Sequence, residues 1–396
     1  MRTAIINARM LIADTWRDGQ HLLVENGLIA ALSESAFDCD ITVDAAGATL
    51  CPGLIDLHVH GGGGYDFMDA TTETVIGAAQ AHLMGGTTTL LPTTVCSSDD
   101  EVHQLALALS SAKTSGALLP HMPGLHLEGP YFSKEQAGAQ DPEYITIPSP
   151  ERFKRLLEKA GDVARMSVAV ELPGALELGD YLKEKGILAA IGHSNADYDE
   201  VLSAAEHGYT HVTHLYSGMS SLHRVGARRV LGVVESAYLI DELTVEIIAD
   251  GIHLPPELLR LILKCKAHDK IILVTDALGG MGLPDGSEIV LGSKKNGRKA
   301  VVDGGVAYMP DRSCYAGSVV SAMGCVRTMV EKTGLTLAEA LKMMTVNPAR
   351  ALKLQENKGS LQPGFDADLL LIDNNMRVQT VFVAGKMAVK NGKVLS

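Results

Sequence analysis

The sequence has no excess of positive charge, no paired cysteines and no long apolar run. Among its 396 residues, 34 are Lys or Arg and 47 are Asp or Glu, which gives a net charge of −13. This balance argues against a surface that binds nucleic acid or another polyanion. A small anionic substrate held by a few local cations is still compatible with it.

The cysteine pattern and the hydropathy pattern indicate a cytoplasmic protein that does not bind membranes. The six cysteines show no CxxC pair and no disulfide-framework spacing, as expected for reduced cysteines in the cytosol. No stretch reaches the apolar length that a bilayer span requires. The first residues lack the features of a signal peptide.

Both ends of the chain have the texture of short strands joined by turns. Residues 1–50 contain Asp18-Gly19 and Asn26-Gly27, and the tail contains Asn391-Gly392, all of which favour tight hairpins. Neither end has enough strand for a stable sheet of its own. We therefore predict one small β-sandwich accessory domain, built from residues 1–50 and 355–396.

The middle of the chain, residues 51–354, alternates apolar runs with amphipathic segments. Eight candidate strands are typical of strands covered on both faces, at 54–60, 87–92, 124–128, 167–171, 187–193, 211–214, 244–249 and 271–275. Helical patterns lie between several of them, at 72–85, 98–112, 151–160, 197–207 and 256–267. This alternation predicts an α/β fold, a (β/α)₈ TIM barrel.

A doubly wound sheet is the structural alternative to the barrel. It is less favoured, because no GxGxxG follows the first predicted strand. The glycine run at 61–64 lacks the lysine and the hydroxyl residue of a phosphate loop, so we interpret it as a flexible lid or a turn.

Polar residues stand at the carboxyl ends of five predicted strands, where barrel enzymes place their active sites. His58 and His60 share one face of the first strand, because side chains alternate along a strand. Taken singly, each of these residues is more often a strand cap or a satisfied polar group. It is much less probable that polar residues would stand at the correct end of five strands by chance. The set consists of His58, His60, Glu128, His193, His214 and Asp276.

The other histidines are mostly interpreted as surface or packing residues. His211 precedes His214 by three positions, so on a strand it faces the opposite way. His126 shares the facing of Glu128, and packing beside the ligands is favoured over ligation. His253 follows the seventh strand at the predicted active face, where a substrate contact and a structural cap are both compatible with its position.

Imidazole and carboxylate ligands without cysteine favour a divalent transition metal such as Zn²⁺, Fe²⁺, Co²⁺ or Mn²⁺. Such an ion lowers the pKa of bound water towards ~7 and can polarise a carbonyl oxygen. Asp276 would accept the proton of the attacking water and return it to the leaving amine. The residues therefore predict a metal-dependent amide hydrolase.

A series of motifs, in a fixed order over nearly the whole chain, resembles the N-acetylglucosamine-6-phosphate deacetylases of the amidohydrolase superfamily. The motifs are PGLIDLHVHGGGG, HLEGPY, GHSNAD, THLYSGM, ADGIH, TDA, AGS and NPAR. The resemblance implies a homodimeric enzyme that hydrolyses the acetamide of a small amino-sugar phosphate. It also implies one or two divalent ions per chain, and we expect these ions to be Zn²⁺ or Fe²⁺.

The resemblance also assigns residues. Glu128, His193 and His214 match the principal metal ligands, His58 and His60 match those of a second ion that Glu128 would bridge, and Asp276 matches the catalytic aspartate. His253 matches a substrate-contacting histidine. The remaining substrate-binding residues that it implies are Ala139, Gln140, Ser217, Gly218, Arg224, Tyr315, Ala316 and Gly317.

The sequence departs from this family after the sixth strand. Ser217-Gly218-Met219 stands where the family has Asn-Ala-Met. Residues 223–229, with an apparent insertion, stand where the family has an Arg-Glu-Pro-Gly segment whose arginine reaches the phosphate across the dimer interface. Arg224 is our candidate for that arginine, with Arg228 nearly as good.

Three other functions stay open at this point. A cyclic-amide hydrolase of the dihydroorotase or hydantoinase kind would be favoured by a lysine at the end of the fourth strand, where none is evident. A deacylase acting on another substrate, including an unphosphorylated one, would suit the altered loop. A metal-free barrel that serves as a binding module would be expected to have lost its ligands.

Overall fold

The computed structural model describes residues 1–13 and 15–395 and begins with short strands. These strands are β1 (Arg2–Ile6), β2 (Arg9–Ile12), β3 (Thr15–Arg17), β4 (His21–Glu25), β5 (Leu28–Ser33), β6 (Ile41–Asp44) and β7 (Thr49–Pro52).

The middle of the chain alternates strands and helices. Its strands are β8 (Leu54–Val59), β9 (Gly61–Gly62), β10 (Tyr65–Asp66), β11 (Thr87–Pro92), β12 (Leu125–Glu128), β13 (Val163–Val168), β14 (Leu188–Ile191), β15 (Tyr209–Val212), β16 (His223–Val225), β17 (Arg228–Val230), β18 (Thr244–Ile248) and β19 (Ile271–Val274). Its α-helices are α1 (Thr72–Met84), α2 (Asp99–Thr114), α3 (Pro150–Ala160), α4 (Ala175–Lys185), α5 (Tyr198–Glu206), α6 (Val233–Leu239) and α7 (Pro256–Cys265). Short 3₁₀ helices lie at Phe67–Asp69, Lys134–Gln136 and His268–Lys270.

The last part of the chain adds further strands and helices. The strands are β20 (Glu288–Leu291), β21 (Arg298–Asp303), β22 (Val306–Tyr308), β23 (Tyr315–Ser318), β24 (Leu369–Ile372), β25 (Val378–Val383), β26 (Lys386–Lys390) and β27 (Lys393–Val394). The helices are α8 (Ala322–Thr333), α9 (Leu337–Lys342) and α10 (Val346–Ala351). None of the helices in the described part of the chain is both long and apolar enough to span a bilayer.

Eight of the middle strands run parallel and are largely buried. Six form one sheet in the order β12-β13-β14-β15-β18-β19, and β8 pairs in parallel with β11. Isolated parallel bridges from Val59 to Ala277 and from Thr93 to His126 connect this pair to the sheet. The fold is therefore α/β with parallel strands whose carboxyl ends share one edge.

The helices begin where local sequence chemistry favours them. Ser98 accepts a hydrogen bond from the backbone N–H of Glu101, and the Glu101 side chain accepts one from the Ser98 backbone N–H. Such a reciprocal pair satisfies backbone donors that a helix start leaves free. In α3, Pro150 occupies the first turn, and the buried face is that of Phe153 and Leu156.

The predicted strands all overlap observed ones, but two predicted positions are shifted. The fourth was expected at 167–171 and lies at Val163–Val168; the sixth was expected at 211–214 and lies at Tyr209–Val212. A charged residue, Arg165, stands inside the fourth strand, so the apolar run alone placed the strand too late. In the glycine run at 61–64, Gly61–Gly62 form β9, and Gly63-Gly64 make the turn to its partner strand β10.

Strands from both ends of the chain share one sheet, in the order β27-β26-β25-β24-β7-β2-β3, beside a sheet ordered β5-β4-β1-β6. The Asn26-Gly27 hairpin is confirmed, since it joins the paired strands β4 and β5. The Asp18-Gly19 hairpin prediction is wrong, because β3 pairs with β2 and β4 pairs with β1. That turn connects two different sheets.

One sheet was not predicted at all. After β19 the chain forms an antiparallel sheet in the order β20-β21-β22-β23. A parallel bridge from Ala277 to Ser318 attaches its last strand to the edge where the parallel strands end. This attachment brings the segment around Tyr315 to the same edge.

Candidate metal centre and active-site cleft

The six polar residues predicted at strand ends lie together at the carboxyl edge of the parallel strands. They stand within, at the end of, or one or two residues beyond β8, β12, β14, β15 and β19. Every one of them is more than nine-tenths buried, the set being His58, His60, Glu128, His193, His214 and Asp276.

One group of ligand atoms joins the histidines of β8 to Glu128. His58 Nε2 lies 3.4 Å from Glu128 Oε1, and His60 Nε2 lies 3.3 Å from Glu128 Oε2. Asp276 Oδ1 lies 3.4 Å from the first nitrogen and 3.3 Å from the second. Two imidazoles and two carboxylates therefore face one another in a buried space.

A second group shares the same glutamate. Glu128 Oε1 lies 3.2 Å from His193 Nε2 and 3.0 Å from His214 Nε2. In each group the three possible ligand atoms lie within 4.8 Å of one another. Glu128 thus belongs to both groups, which makes its two oxygens the link between them.

The backbone is strained at three of these positions. His193 has φ 48°, His214 has φ 24° and Asp276 has φ 49°. Residues other than glycine rarely adopt positive φ, and such conformations concentrate at functional sites. At each of these strand ends the chain turns sharply, and the turn directs the side chain to the centre of the edge.

The His193 ring has a fixed tautomer. Its Nδ1 lies 2.7 Å from the carbonyl oxygen of Gln136, which can only accept, so Nδ1 carries the hydrogen. In the neutral ring, Nε2 then presents a lone pair to Glu128 Oε1 at 3.2 Å. Two atoms that both present lone pairs repel each other unless a proton or a cation lies between them.

The carboxylates and imidazoles shift each other's pKa values. Burial alone would lower the pKa of His58 and His60, but the Glu128 and Asp276 carboxylates raise them to about 9 and about 10. Burial acts to raise the pKa of Glu128, yet the surrounding histidines hold it well below its usual range. The cluster therefore attracts positive charge, whether protons or a metal ion.

The donor set fits a divalent transition metal. It consists of imidazole nitrogens and carboxylate oxygens without a cysteine sulfur, which suits borderline ions rather than a thiolate site. Each group offers three protein ligands, the number typical of catalytic sites that keep a coordination position for water or substrate. Buried ring nitrogens without hydrogen-bond partners among the described residues, such as His60 Nδ1 and His214 Nδ1, are further polar atoms at this centre.

A cleft of about 200 Å³ opens onto the cluster. His58, which lies below the cleft, and the two candidate arginines Arg224 and Arg228 do not line it, whereas the other predicted metal, catalytic and substrate residues do. They are His60, Glu128, Ala139, Gln140, His193, His214, Ser217, Gly218, His253, Asp276, Tyr315, Ala316 and Gly317.

Gln140 contacts the candidate ligand Glu128 as well as the cleft. Its Oε1 accepts from the Cys96 backbone N–H at 2.7 Å, so its Nε2 faces Glu128 Oε2, at 2.6 Å. A backbone N–H can only donate, which fixes the orientation of the amide. Gln140 therefore orients Glu128, a contact that the sequence did not predict.

His253 and Tyr315 form one wall of the cleft. His253 Nδ1 lies 2.7 Å from Asp250 Oδ2, and its ring centroid lies 4.7 Å from that of Tyr315. Asp250 accepts from the ring, so the other nitrogen of His253 is the one left for a substrate. Tyr315 is 37% exposed, which leaves much of its ring accessible.

The Ser217-Gly218 segment lies close against His193. Gly218 has φ 56°, and a Cβ atom added to it would lie 2.8 Å from His193 Nδ1. In this structure a Cβ atom at Gly218 would therefore require a shift of the loop after β15 or of His193, a candidate ligand.

Arg224 does not reach the cleft of its own chain. It lies in β16, which pairs with β17 in an exposed hairpin, here called the arginine hairpin (residues 222–230). Arg224 pairs with Arg229 and Val225 pairs with Arg228, so Arg224 and Arg228 project from opposite faces. Among the described residues that line the cleft, none is lysine or arginine.

The sequence missed a buried ion pair beneath the cluster. Arg165 on β13 and Glu246 on β18 are both fully buried and hydrogen-bonded to each other, with Arg165 Nη2 lying 2.8 Å from Glu246 Oε2. The signal was present, because an ionisable residue inside a strand covered on both faces requires a partner. The pairing itself could not be read from two strands that are about 80 residues apart.

The prediction that His211 faces away from His214 is wrong. His211 Nε2 lies 3.1 Å from Glu246 Oε1, while the His214 backbone N–H points at Glu246 Oε2 from 3.4 Å. Side-chain alternation fails here because β15 ends at Val212 and the backbone turns at His214. His126, in contrast, packs against the His58 ring as predicted, with centroids 4.6 Å apart.

A family model and two curated proteins match most of the chain. The amidohydrolase family model matches residues 49–388. The N-acetylgalactosamine-6-phosphate deacetylase of Escherichia coli O157:H7 is 32% identical over 388 residues, covering 98% of this chain and 99% of that protein. The N-acetylglucosamine-6-phosphate deacetylase of Bacillus subtilis (strain 168) is 34% identical over 347 residues, covering 87% and 85%.

A solved structure is similar over the same length. It is a mutant N-acetyl-D-glucosamine-6-phosphate deacetylase from Mycobacterium smegmatis in complex with N-acetyl-D-glucosamine-6-phosphate. The TM-score is 0.87 at 30% sequence identity, and the match covers 98% of this chain and 99% of that one. The similarity therefore includes the terminal sheets as well as the parallel strands.

Proposed function

The chain belongs to the amidohydrolase family, and from this premise we propose that it is a metal-dependent deacetylase of an amino-sugar phosphate. Its substrate is N-acetylglucosamine-6-phosphate or a closely related N-acetyl amino-sugar phosphate, and its products are acetate and the free amino-sugar phosphate. The two relatives are named as deacetylases of different sugar epimers, one of N-acetylgalactosamine-6-phosphate and the other of N-acetylglucosamine-6-phosphate. Both are therefore candidates here.

One observation carries the proposal. Glu128 lies between two pairs of histidines, and Asp276 faces the same space from the end of the last parallel strand. A buried, partly ionised cluster of this kind at the bottom of a cleft is suited to hydrolysis of a neutral amide. A metal-free binding module would have no use for it, and the cyclic-amide alternative is not favoured, since no lysine is among the described cleft residues.

The protein groups have separate roles in this reaction. Asp276 accepts a proton from the attacking water and returns it to the nitrogen of the departing amino sugar. The histidines around it keep its pKa below its usual range against the effect of burial, so it is ionised and ready to accept at neutral pH. His253, oriented by Asp250, donates to or accepts from the sugar. A divalent ion held by the cluster supplies Lewis acidity for the water and the amide carbonyl.

We further propose Zn²⁺ or Fe²⁺ as the ion, with one or two per chain. His193, His214 and Glu128 would hold the first, and His58, His60 and Glu128 the second. The shared carboxylate and the absence of cysteine in both groups support this assignment.

We propose that the enzyme is a homodimer in which the arginine hairpin of each subunit reaches the cleft of the other subunit. The cleft offers no lysine or arginine among its described residues, yet a phosphate requires a cation. The arginine hairpin exposes Arg224 together with Leu222 and Val225, which are 54% and 59% exposed. Exposed apolar residues beside an unused arginine support a contact in which Arg224 of the partner subunit binds the phosphate.

Other expectations about the fold stay proposals. Hydrogen bonds from Asp276 N to His58 O and from Thr94 N to His126 O, 2.9 Å and 3.0 Å long, support closure of the parallel strands into a full (β/α)₈ barrel over residues 51–354. A second buried core formed by both chain ends supports an accessory β-sandwich domain of residues 1–50 and 355–396. The cytoplasmic location stays a prediction.

Acetate release from a panel of substrates tests the proposed function. The panel comprises the N-acetylated glucosamine and galactosamine, each with and without the 6-phosphate, assayed with chelator and after restoration of Zn²⁺ or Fe²⁺. We expect metal-dependent acetate release with a preference for phosphorylated sugars. Absence of acetate from all four compounds in the metal-restored protein would exclude the proposed reaction.

A further inference from the structure

The buried ion pair beneath the cluster contacts the metal ligands from below. Glu246 Oε2 lies 3.8 Å from His58 Nδ1, and both side chains are fully buried. The opposite nitrogen of the same ring, Nε2, faces Glu128 and Asp276. Glu246 therefore stands behind His58 on the side away from the cleft.

The ion pair with Arg165 determines the protonation state of Glu246 and hence whether it can donate or only accept hydrogen bonds. Arg165 has only donors, and it hydrogen-bonds both oxygens of Glu246, the Leu57 carbonyl oxygen at 3.0 Å and Thr213 Oγ1 at 2.9 Å. The two hydrogen bonds that the Arg165 guanidinium donates hold the Glu246 carboxylate in the ionised form. An ionised carboxylate can only accept hydrogen bonds.

A ligating histidine must carry its hydrogen on the nitrogen that does not bind the ion. For His58 that nitrogen is Nδ1, which has no hydrogen-bond partner within the described ranges, although Glu246 Oε2 lies in front of it. Acceptors behind a ligating imidazole orient the ring and raise its basicity. We propose that Glu246, held by Arg165, is a positioning residue that directs His58 Nε2 to the second ion.

The same geometry predicts that the first ion depends much less on Glu246. His193 is oriented by the Gln136 carbonyl instead. His214 touches Glu246 through its backbone N–H at 3.4 Å and not through its ring. The effect of removing the carboxylate should therefore separate the two ions.

The test is a metal titration of the metal-free Glu246→Gln protein with Zn²⁺, followed by elemental analysis. The amide has the same shape, but it has one acceptor oxygen and one NH₂ donor in place of two acceptor oxygens. We expect affinity for the second equivalent to fall by roughly 10- to 100-fold, while the first changes by less than about threefold. The matched control is Asp368→Asn, which makes the same change in the buried Lys358–Asp368 ion pair and should leave both equivalents unchanged.

Glu246→Gln leaves Arg165 without its counter-ion and can fail to fold. In that case the double variant Arg165→Met with Glu246→Gln removes both charges and is titrated instead, with the same expectation. Melting temperatures of the metal-free proteins accompany each titration, because a purely structural role would lower stability and weaken both equivalents together.

Three outcomes would overturn the inference: unchanged affinity for the second equivalent, an equal loss at both equivalents, or a wild type that takes up a single ion. The inference rests on the metal centre of the proposed function but not on its substrate. The titration is decided by metal binding alone, so a protein that failed to release acetate would refute the proposed reaction and still give a clear answer on Glu246.

Discussion

The candidate metal cluster and the arginine hairpin differ in almost every physical respect. The cluster comprises His58, His60, Glu128, His193, His214 and Asp276. The cluster draws its residues from five parallel strands, buries them and holds several in strained backbone conformations. The hairpin is a local structure of nine residues, mostly exposed, whose strands β16 and β17 pair only with each other in the described sheets. One is fixed by the whole fold and the other by its own turn.

This difference separates the chemistry from the choice of substrate. Groups that transfer protons or hold an ion must be placed to within a fraction of an ångström, which requires rigid strand ends. A group that recognises a distant phosphate needs only charge and reach. We therefore expect changes in the cluster to affect every substrate, and changes in the hairpin to affect only phosphorylated ones.

The largest expected effect is that of Asp276→Asn. The amide keeps the shape of the side chain but cannot carry the proton, so turnover should fall by roughly 10² to 10⁴. Phosphorylated and unphosphorylated N-acetyl sugars should lose turnover by the same factor, measured as acetate release. Metal content, measured in parallel, should change much less; near-normal turnover would move the proton transfer to another group, with His253 next in line.

Arg224→Ala should have an intermediate and selective effect. Hydrogen bonds to charged groups are worth about 1.5 to 3 kcal/mol, so kcat/KM for a 6-phosphate substrate should fall by roughly tenfold to over a hundredfold, mainly through KM. The same variant should turn over the unphosphorylated sugar as the wild type does.

The hairpin itself supplies the control. Arg228 projects from the opposite face, so Arg228→Ala should leave the phosphate preference intact. If both variants keep the preference, neither Arg224 nor Arg228 binds the phosphate, and this assignment is wrong. Equal losses of kcat/KM for both substrates would contradict the expectation that hairpin changes affect only phosphorylated sugars, because the hairpin would then act on the hydrolysis itself.

The smallest expected effect is on the pH dependence of stability. In the metal-free protein the pKa of His58 is raised to about 9 and that of His60 to about 10, against an ordinary value of 6.5. Their protonated forms stabilise the fold fully below pH 6.5, and this stabilisation is lost as the pH rises through 9 and 10. The melting temperature should therefore fall over that range, by roughly 1 °C for each kcal/mol of stability that is lost in a chain of this length.

Loading the protein with Zn²⁺ should flatten this profile, because the ion replaces the protons between the imidazoles and the carboxylates. Differential scanning calorimetry at pH 6.5, 8 and 10 on chelated and loaded protein measures the difference. Identical profiles would show that protons and metal do not compete in the cluster. Arg224→Ala should not change the profile, since the hairpin lies apart from these groups.

Local patterns in the sequence determined much of the architecture. Apolar runs located all eight parallel strands, and the amphipathic patterns placed five helices close to their observed positions. The rule that parallel strands end at one edge was sufficient to predict that His58, Glu128, His214 and Asp276 lie close together. These features depend on neighbours within a few residues or on a topological rule, and both can be read from the chain.

Contacts between distant segments were decided only by the tertiary structure. Arg165 with Glu246, Gln140 with Glu128, and the two faces of the arginine hairpin all depend on how strands and loops register in space. Strand alternation also misplaced His211, because the backbone turn at His214 is imposed by packing and not by local preference. A sequence specifies which side chains can ionise or bind, but the fold determines which of them lie within 3 to 4 Å of each other, the range in which their chemistry is set.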